Sequence, residues 1–166
     1  MVIYSYICHF MYMGMLLDTG NPPHTQLYEE NMEIKINISD TIENNEVVEL
    51  YKANNWSAAN KPDKLLNALR NSHTLVTARV SGKLIGIANA ISDNYLVVYY
   101  PHLLVHPEYQ RNGAGKQMMN VLKEKYTGFH QQMLTADSAA IEFYKAMGFE
   151  KAGNTVPMWV YDGNDH

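Results

Sequence analysis

Apolar and polar positions alternate with a period of two over Glu33-Ile-Lys-Ile-Asn37, which predicts a short strand. Residues 44–53 change period. Val47, Val48, Leu50 and Tyr51 fall on one helical face, with Asp40 and Thr41 upstream as candidate caps. Asn54, Asn55 and Trp56 end that pattern. A second helix over residues 61–70 carries Pro62 in its first turn and Leu65, Leu66 and Leu69 on one stripe. Residues 74–80 and 83–91 read as strands joined by Ser81-Gly82, a two-residue hairpin signal. A third strand runs over residues 96–105 and is interrupted by Pro101. Proline cannot donate to a ladder, so it marks an edge or a bulge, and side-chain parity beyond it is unreadable. A helix over 113–126 places Ala114, Met118, Val121 and Leu122 on one face. A short strand near 131–134, a helix over 138–147 and two closing strands, near Phe149 and over 157–161, complete the pattern. The order β-α-α-β-β-β-α-β-α-β-β predicts an α/β layered mixed sheet, mostly antiparallel, with one parallel crossover near its centre.

Composition changes the picture at the amino terminus. The chain has 166 residues, 46% hydrophobic and 18% charged, which suits one globular domain with its own core. Residues 1–31 stand apart: they hold four of the ten Met, several Tyr, and no Lys or Arg. The apolar run 1–17 has neither the positive start nor the cleavage site of a secretory signal. It stops short of a spanning helix at Asp18 and is broken by His9. Residues 1–31 are therefore expected to be an extension, flexible or non-native, joined through Gly20-Asn21-Pro22-Pro23 to a single domain over 32–166. No membrane role is expected. The single cysteine, Cys8, excludes an internal disulfide, and a cytoplasmic setting is the default. Net charge is −4 with no basic stripe, so no nucleic-acid partner is expected.

The informative stretch is Leu103-Leu-Val-His-Pro-Glu-Tyr-Gln-Arg-Asn-Gly-Ala-Gly-Lys116. A strand ends, a loop turns, and two glycines open an amphipathic helix. Free N–H groups and the dipole at such a start favour an anion, and glycine lets a phosphate approach the backbone. Gln110, Arg111 and Lys116 add donors. Glycines at a helix start can also be merely a tight turn. Two other phosphate motifs fail: Gln117 stands where a Walker loop needs Ser or Thr, and Met118 stands where a dinucleotide fingerprint needs its third Gly.

Gln110-Arg-Asn-Gly-Ala-Gly115 resembles the Gln/Arg-x-x-Gly-x-Gly/Ala motif of the Gcn5-related N-acetyltransferase (GNAT) superfamily. Val105-His-Pro-Glu-Tyr109 is similar to the approach to that motif. Ala139-Ala-Ile-Glu-Phe-Tyr-Lys-Ala-Met-Gly-Phe149 is similar to a second motif of the family, and the element order also agrees. The resemblance covers residues 33–161. It implies acetyl-CoA as co-substrate and an amine acceptor, with direct transfer in a ternary complex. It implies that Leu103, Leu104 and Val105 offer backbone groups to the pantetheine arm. The Val105 N–H would polarise the thioester carbonyl, and Gln110, Arg111, Asn112, Gly113, Ala114, Gly115 and Lys116 would hold the pyrophosphate. Tyr144 would protonate the leaving thiolate as general acid. Asp137 stands where the family often has Asn; it can accept but not donate, and Ser138 could take over that contact.

The acceptor side is less defined. His102 has the ordinary pKa of a general base, with a water chain as the alternative. Tyr99 lies on the strand that would face the substrate. Trp56 either walls the acceptor pocket or pins its loop to the core. His102 and His106 lack a third ligand, so no metal is expected. A small-molecule amine is the expected acceptor. The rival reading is a CoA-binding sensor without turnover. A homodimer, common in the resembled superfamily, is left open.

Overall fold

The computed structural model describes residues 32–163. The chain divides into two units, Met1–Asn31 and Met32–His166. The expectations for the extension over 1–31 fall outside the described residues.

Within the second unit the elements run β1 (Lys35–Ile38), α1 (Asn44–Ala53), α2 (Pro62–Arg70), β2 (Thr74–Val80), β3 (Lys83–Ser92), β4 (Val97–Tyr99), β5 (Leu103–Val105), α3 (Ala114–Lys125), β6 (Gln131–Met133) and α4 (Ile141–Ala146). The sheet order is β1-β2-β3-β4-β6, with β5 also paired to β3. Every pairing is antiparallel except β4 with β6. The sheet separates two apolar layers. Val47, Leu50, Tyr51, Leu65 and Leu69 of α1 and α2 cover one face. Ala114, Met118, Met119 and Leu122 of α3, with Tyr126 and Met147, cover the other. The stripes expected from periodicity are buried except at Val48, Leu66 and Val121, which are half-buried. No helix among the described residues is long and apolar enough to cross a membrane.

The strand expected over 96–105 is two strands, because the chain bulges between them. Val98 and Tyr100 face the α3 layer, and so do Leu103 and Val105. The parity has shifted by one residue across Pro101 and His102. His102 consequently turns to the α1 face. β4 alone continues to β6, so β5 and the chain beyond Met133 diverge.

Two expectations are corrected. Asp40 and Thr41 do not cap α1: its N-cap is Glu43, whose N–H donates to Glu46 at 3.0 Å. Asp40 is instead drawn to Arg79, which uses all five guanidinium donors, on Asp40, Glu46 twice, Thr41 O and Gly82 O. The two closing strands are also absent among the described residues, since Phe149 to Gly163 form no ladder. Phe149 packs edge-on against Tyr100 and Tyr144. Beyond it Met158 is 88% exposed and Trp159 66%. β6 offers only three residues to pair with, and Pro157 lacks a donor. The segment is held instead by Asp162 on Lys61 and Tyr161 on Ser57.

The Arg79 cluster makes a pH prediction. Burial pushes the Asp40 carboxyl up, but hydrogen bonds from Arg79 and Thr77 and the Arg79 charge outweigh it, leaving it below the usual range. Hydrogen bonding from Arg79 lowers Glu46. Both folded pKa values lie below the unfolded ones, so this stability is full above the ordinary carboxylate range and is lost as pH falls through the folded values. Arg79→Met is expected to cost about 2 kcal/mol near neutral pH. Urea titrations at several pH values should show a flatter acid limb than in the wild type.

Candidate active site

The register at β5 decides what its backbone can do. His106 N–H donates to Ile85 O at 2.7 Å and Asn89 N–H to His102 O at 3.1 Å. With Gly86 opposite Val105 and Ala88 opposite Leu103, these bonds make both pairs the non-hydrogen-bonded kind. The N–H and C=O of Leu103 and Val105 therefore point away from β3, into the gap where β5 and the chain after β6 diverge. Val105 O accepts from Gln110 Nε2 at 3.1 Å, which fits that direction. Leu104 corrects the expectation for its position. It lies opposite Ile87 in the intervening, hydrogen-bonded pair, and its side chain is buried in the α1 layer.

At the mouth of the gap the loop Gln110–Gly113 turns sharply. Arg111 has φ 65° and Gly113 φ 85°, the latter as N-cap of α3. The first intrahelical bond is Gln117 N–H to Gly113 O. The N–H groups of Ala114, Gly115 and Lys116 are thus left without intrahelical acceptors. A Cβ on Gly115 would lie 3.6 Å from Val105 Cγ2 and 3.8 Å from Phe143 Cζ. The helix start, the end of β5 and α4 therefore meet there. Arg111, Asn112 and Lys116 are exposed, with no side-chain partner among the described residues. Gly86, unremarked in the sequence, marks a close approach: a Cβ there would lie 2.8 Å from Met118 Cε and 3.1 Å from Leu104 O.

Tyr144 is half-buried on α4, edge-on to Phe143 at 5.1 Å and Phe149 at 5.9 Å. Burial raises its phenol above the ordinary value, and its hydroxyl has no protein partner among the described residues. The Asp137 carboxylate is engaged by the local backbone. It accepts from Ala139 N–H at 2.8 Å and caps the 3-10 turn Ser138–Ala140 that leads into α4.

His102, Trp56 and a residue not singled out in the sequence, Tyr51, form a second group. His102 Nδ1 lies 2.6 Å from the Tyr51 hydroxyl. Trp56 meets the His102 ring edge-on at 5.3 Å and the Tyr51 ring at 5.8 Å. Burial depresses His102 to about 4. Tyr99 stands apart from this trio, its hydroxyl 3.1 Å from Thr135 Oγ1, just past β6. Among the described residues no group of three or more His, Cys, Asp or Glu side chains could hold a metal.

A helix start with free N–H groups beside an outward-facing strand edge, on this sheet order, agrees with a family comparison. Residues 38–158 match the model of the acetyltransferase (GNAT) domain. The chain belongs to the GNAT acetyltransferase family. An uncharacterised ycf52-like N-acetyltransferase of Prochlorococcus marinus is 34% identical over 83 residues, 46% of this chain and 45% of the relative. A chloroplastic GCN5-related N-acetyltransferase of Arabidopsis thaliana is 39% identical over 72 residues, 41% of this chain and 27% of that protein. The chain thus spans about half or less of the length of these GNAT relatives. A GNAT family protein of Streptococcus pneumoniae superposes with a TM-score of 0.69 at 25% identity, over 78% of this chain and 98% of that one. An aminoglycoside N-acetyltransferase solved with CoA shares the fold, with a TM-score of 0.62 at 15% identity over 81% and 99% of the two chains.

Proposed function

We propose that the protein transfers an acetyl group from acetyl-CoA to the nitrogen of a small-molecule amine, in a ternary complex without a covalent enzyme intermediate. The observation that carries this reading is the outward-facing backbone of Leu103 and Val105 beside the free N–H groups that open α3. One edge suits an amide-bearing pantetheine arm, and the other suits a pyrophosphate. These residues fit acetyl-CoA without any metal, and bound there it supplies the activated acyl thioester.

The chain's own residues bind, orient and move one proton. Leu103 and Val105 align the arm, and the Val105 N–H donates to the carbonyl oxygen where negative charge develops. Arg111, Asn112 and Lys116 surround the phosphates. Tyr144 delivers its phenolic proton to the departing sulfur. The acceptor enters on the α1 face, where Trp56 and Tyr99 favour a small amine with an apolar body.

Calorimetric titration of acetyl-CoA into the full chain is the first test, with roughly micromolar to millimolar affinity expected. Thiol release with a panel of amines follows. Release on any amine supports transfer. Binding without release on every amine would favour a CoA-binding sensor, and no binding would overturn the proposal.

A further inference from the structure

The contact between Tyr51 and His102 fixes more than their positions. Tyr51 has no exposed surface, and burial holds its phenol well above the ordinary value, so it keeps its proton. His102 Nδ1, at 2.6 Å, is its hydroxyl's hydrogen-bond partner among the described residues. If the imidazole donated from Nδ1, the phenolic hydrogen would be buried without an acceptor, at a cost that buried polar groups avoid. The phenol is therefore the donor and Nδ1 the acceptor. In a neutral ring the remaining hydrogen then sits on Nε2.

The ring is held in that setting from several sides. Trp56 and Tyr51 pack edge-on against it. Asn89 grips the His102 backbone twice, accepting its N–H at 3.1 Å and donating to its C=O, and is itself held by Ser72. None of these partners, from α1, the loop after it, β3 or the turn before β2, is ionised. Among the described residues Nε2 has no protein partner, yet no fully buried side-chain nitrogen or oxygen is left unpaired. Nε2 therefore reaches solvent, on the sheet face away from α3 and next to the β4–β5 bulge.

We infer that Tyr51 is a positioning residue that fixes His102 as the neutral Nε2–H tautomer, so that His102 meets the acceptor as a hydrogen-bond donor and not as the base. This rests on the transferase reading for what Nε2–H meets. It names the acceptor class more narrowly: an amine carrying a hydroxyl or carbonyl oxygen close to its nitrogen. The proton of the acceptor ammonium passes to solvent water, leaving the nitrogen lone pair free to attack, and His102 carries no proton through the reaction.

Histidine nitrogen spectroscopy on the labelled full chain tests the tautomer, with the His102 signals assigned by their loss in His102→Gln. An unprotonated Nδ1 and a protonated Nε2 are expected near neutral pH, and a mixture of tautomers in Tyr51→Phe. A hydrogen on Nδ1 in the wild type, or a ring that titrates near the ordinary histidine value, overturns the inference. On activity, glutamine presents the same acceptor inward and donor outward. His102→Gln should therefore lower kcat by about three- to tenfold, short of the roughly 10²–10⁴ that loss of a base costs. His102→Leu should selectively lower kcat/KM for an amino alcohol, by about three- to tenfold relative to the matching alkylamine. A hundredfold loss in a folded His102→Gln, or no selective loss in His102→Leu, defeats the donor role. If no amine is acetylated at all, the transferase reading fails, while the spectroscopy still decides the tautomer.

Discussion

Tyr144→Phe is expected to lower kcat by about a hundredfold or more while leaving acetyl-CoA affinity nearly unchanged. General acids contribute roughly 10²–10⁴ in rate. The expectation rests on three features of this phenol. Its hydroxyl has no protein partner among the described residues, so removing it strands no buried donor or acceptor. Its ring is clasped edge-on by Phe143 and Phe149, a setting that phenylalanine keeps. Burial raises its pKa above the ordinary tyrosine value of about 10, so the group is fully protonated at working pH and ready to donate. The sign follows for the rate profile. The acid form is lost only as pH rises through that raised value, so this group imposes no fall in rate at neutral pH. Thiol-release kinetics and calorimetry on the two proteins separate kcat from binding. Equal losses in both would make Tyr144 a wall of the cofactor pocket and not its acid.

The sequence exposed the parts of this site that depend on local pattern. Gly113 and Gly115 ahead of an apolar stripe announce a helix start with free N–H groups, and Arg111 at φ 65° only sharpens the turn. What stayed hidden depends on register. Whether Leu103, Leu104 or Val105 offers its backbone is set by pairing to β3, and a one-residue slip exchanges the answer. The bulge at Pro101 has the same effect on side chains. It turns His102 to the α1 face, where strict alternation from Val98 and Tyr100 would have sent it toward α3. Tyr51 was hidden for another reason. It shares a helical stripe with Val47 and Leu50, so it reads as core. Its hydroxyl was the available signal, since a buried phenol requires a partner. The closing strands expected near Phe149 and over 157–161 are absent although Met158, Val160 and Tyr161 look like strand residues. Alternation describes a strand's faces and says nothing of whether a ladder partner is long enough to hold it.

Gly115→Val is expected to weaken acetyl-CoA binding by about 10- to 100-fold, roughly 1.4–2.7 kcal/mol, without unfolding the chain. Glycine costs a helix more than valine does, which offsets part of the crowding from two added methyl groups, so Tm should fall only modestly. A first carbon at this position sits at ordinary van der Waals distance from Val105 and Phe143. The folded chain can therefore accept it. The two methyl groups beyond it would fill the space between the end of β5 and α4, where the free N–H groups of α3 open toward the gap. A phosphate held there would be pushed off hydrogen bonds that are each worth about 1.5–3 kcal/mol when charge-assisted. Gly115→Ala, which adds only the tolerated carbon, should fall between the wild type and valine. Calorimetry with acetyl-CoA and thermal melts of the three proteins give both axes of the comparison. Affinity that is indifferent to valine would mean that the pyrophosphate lies elsewhere, and Gly115 would then serve only the close packing of α3 on β5.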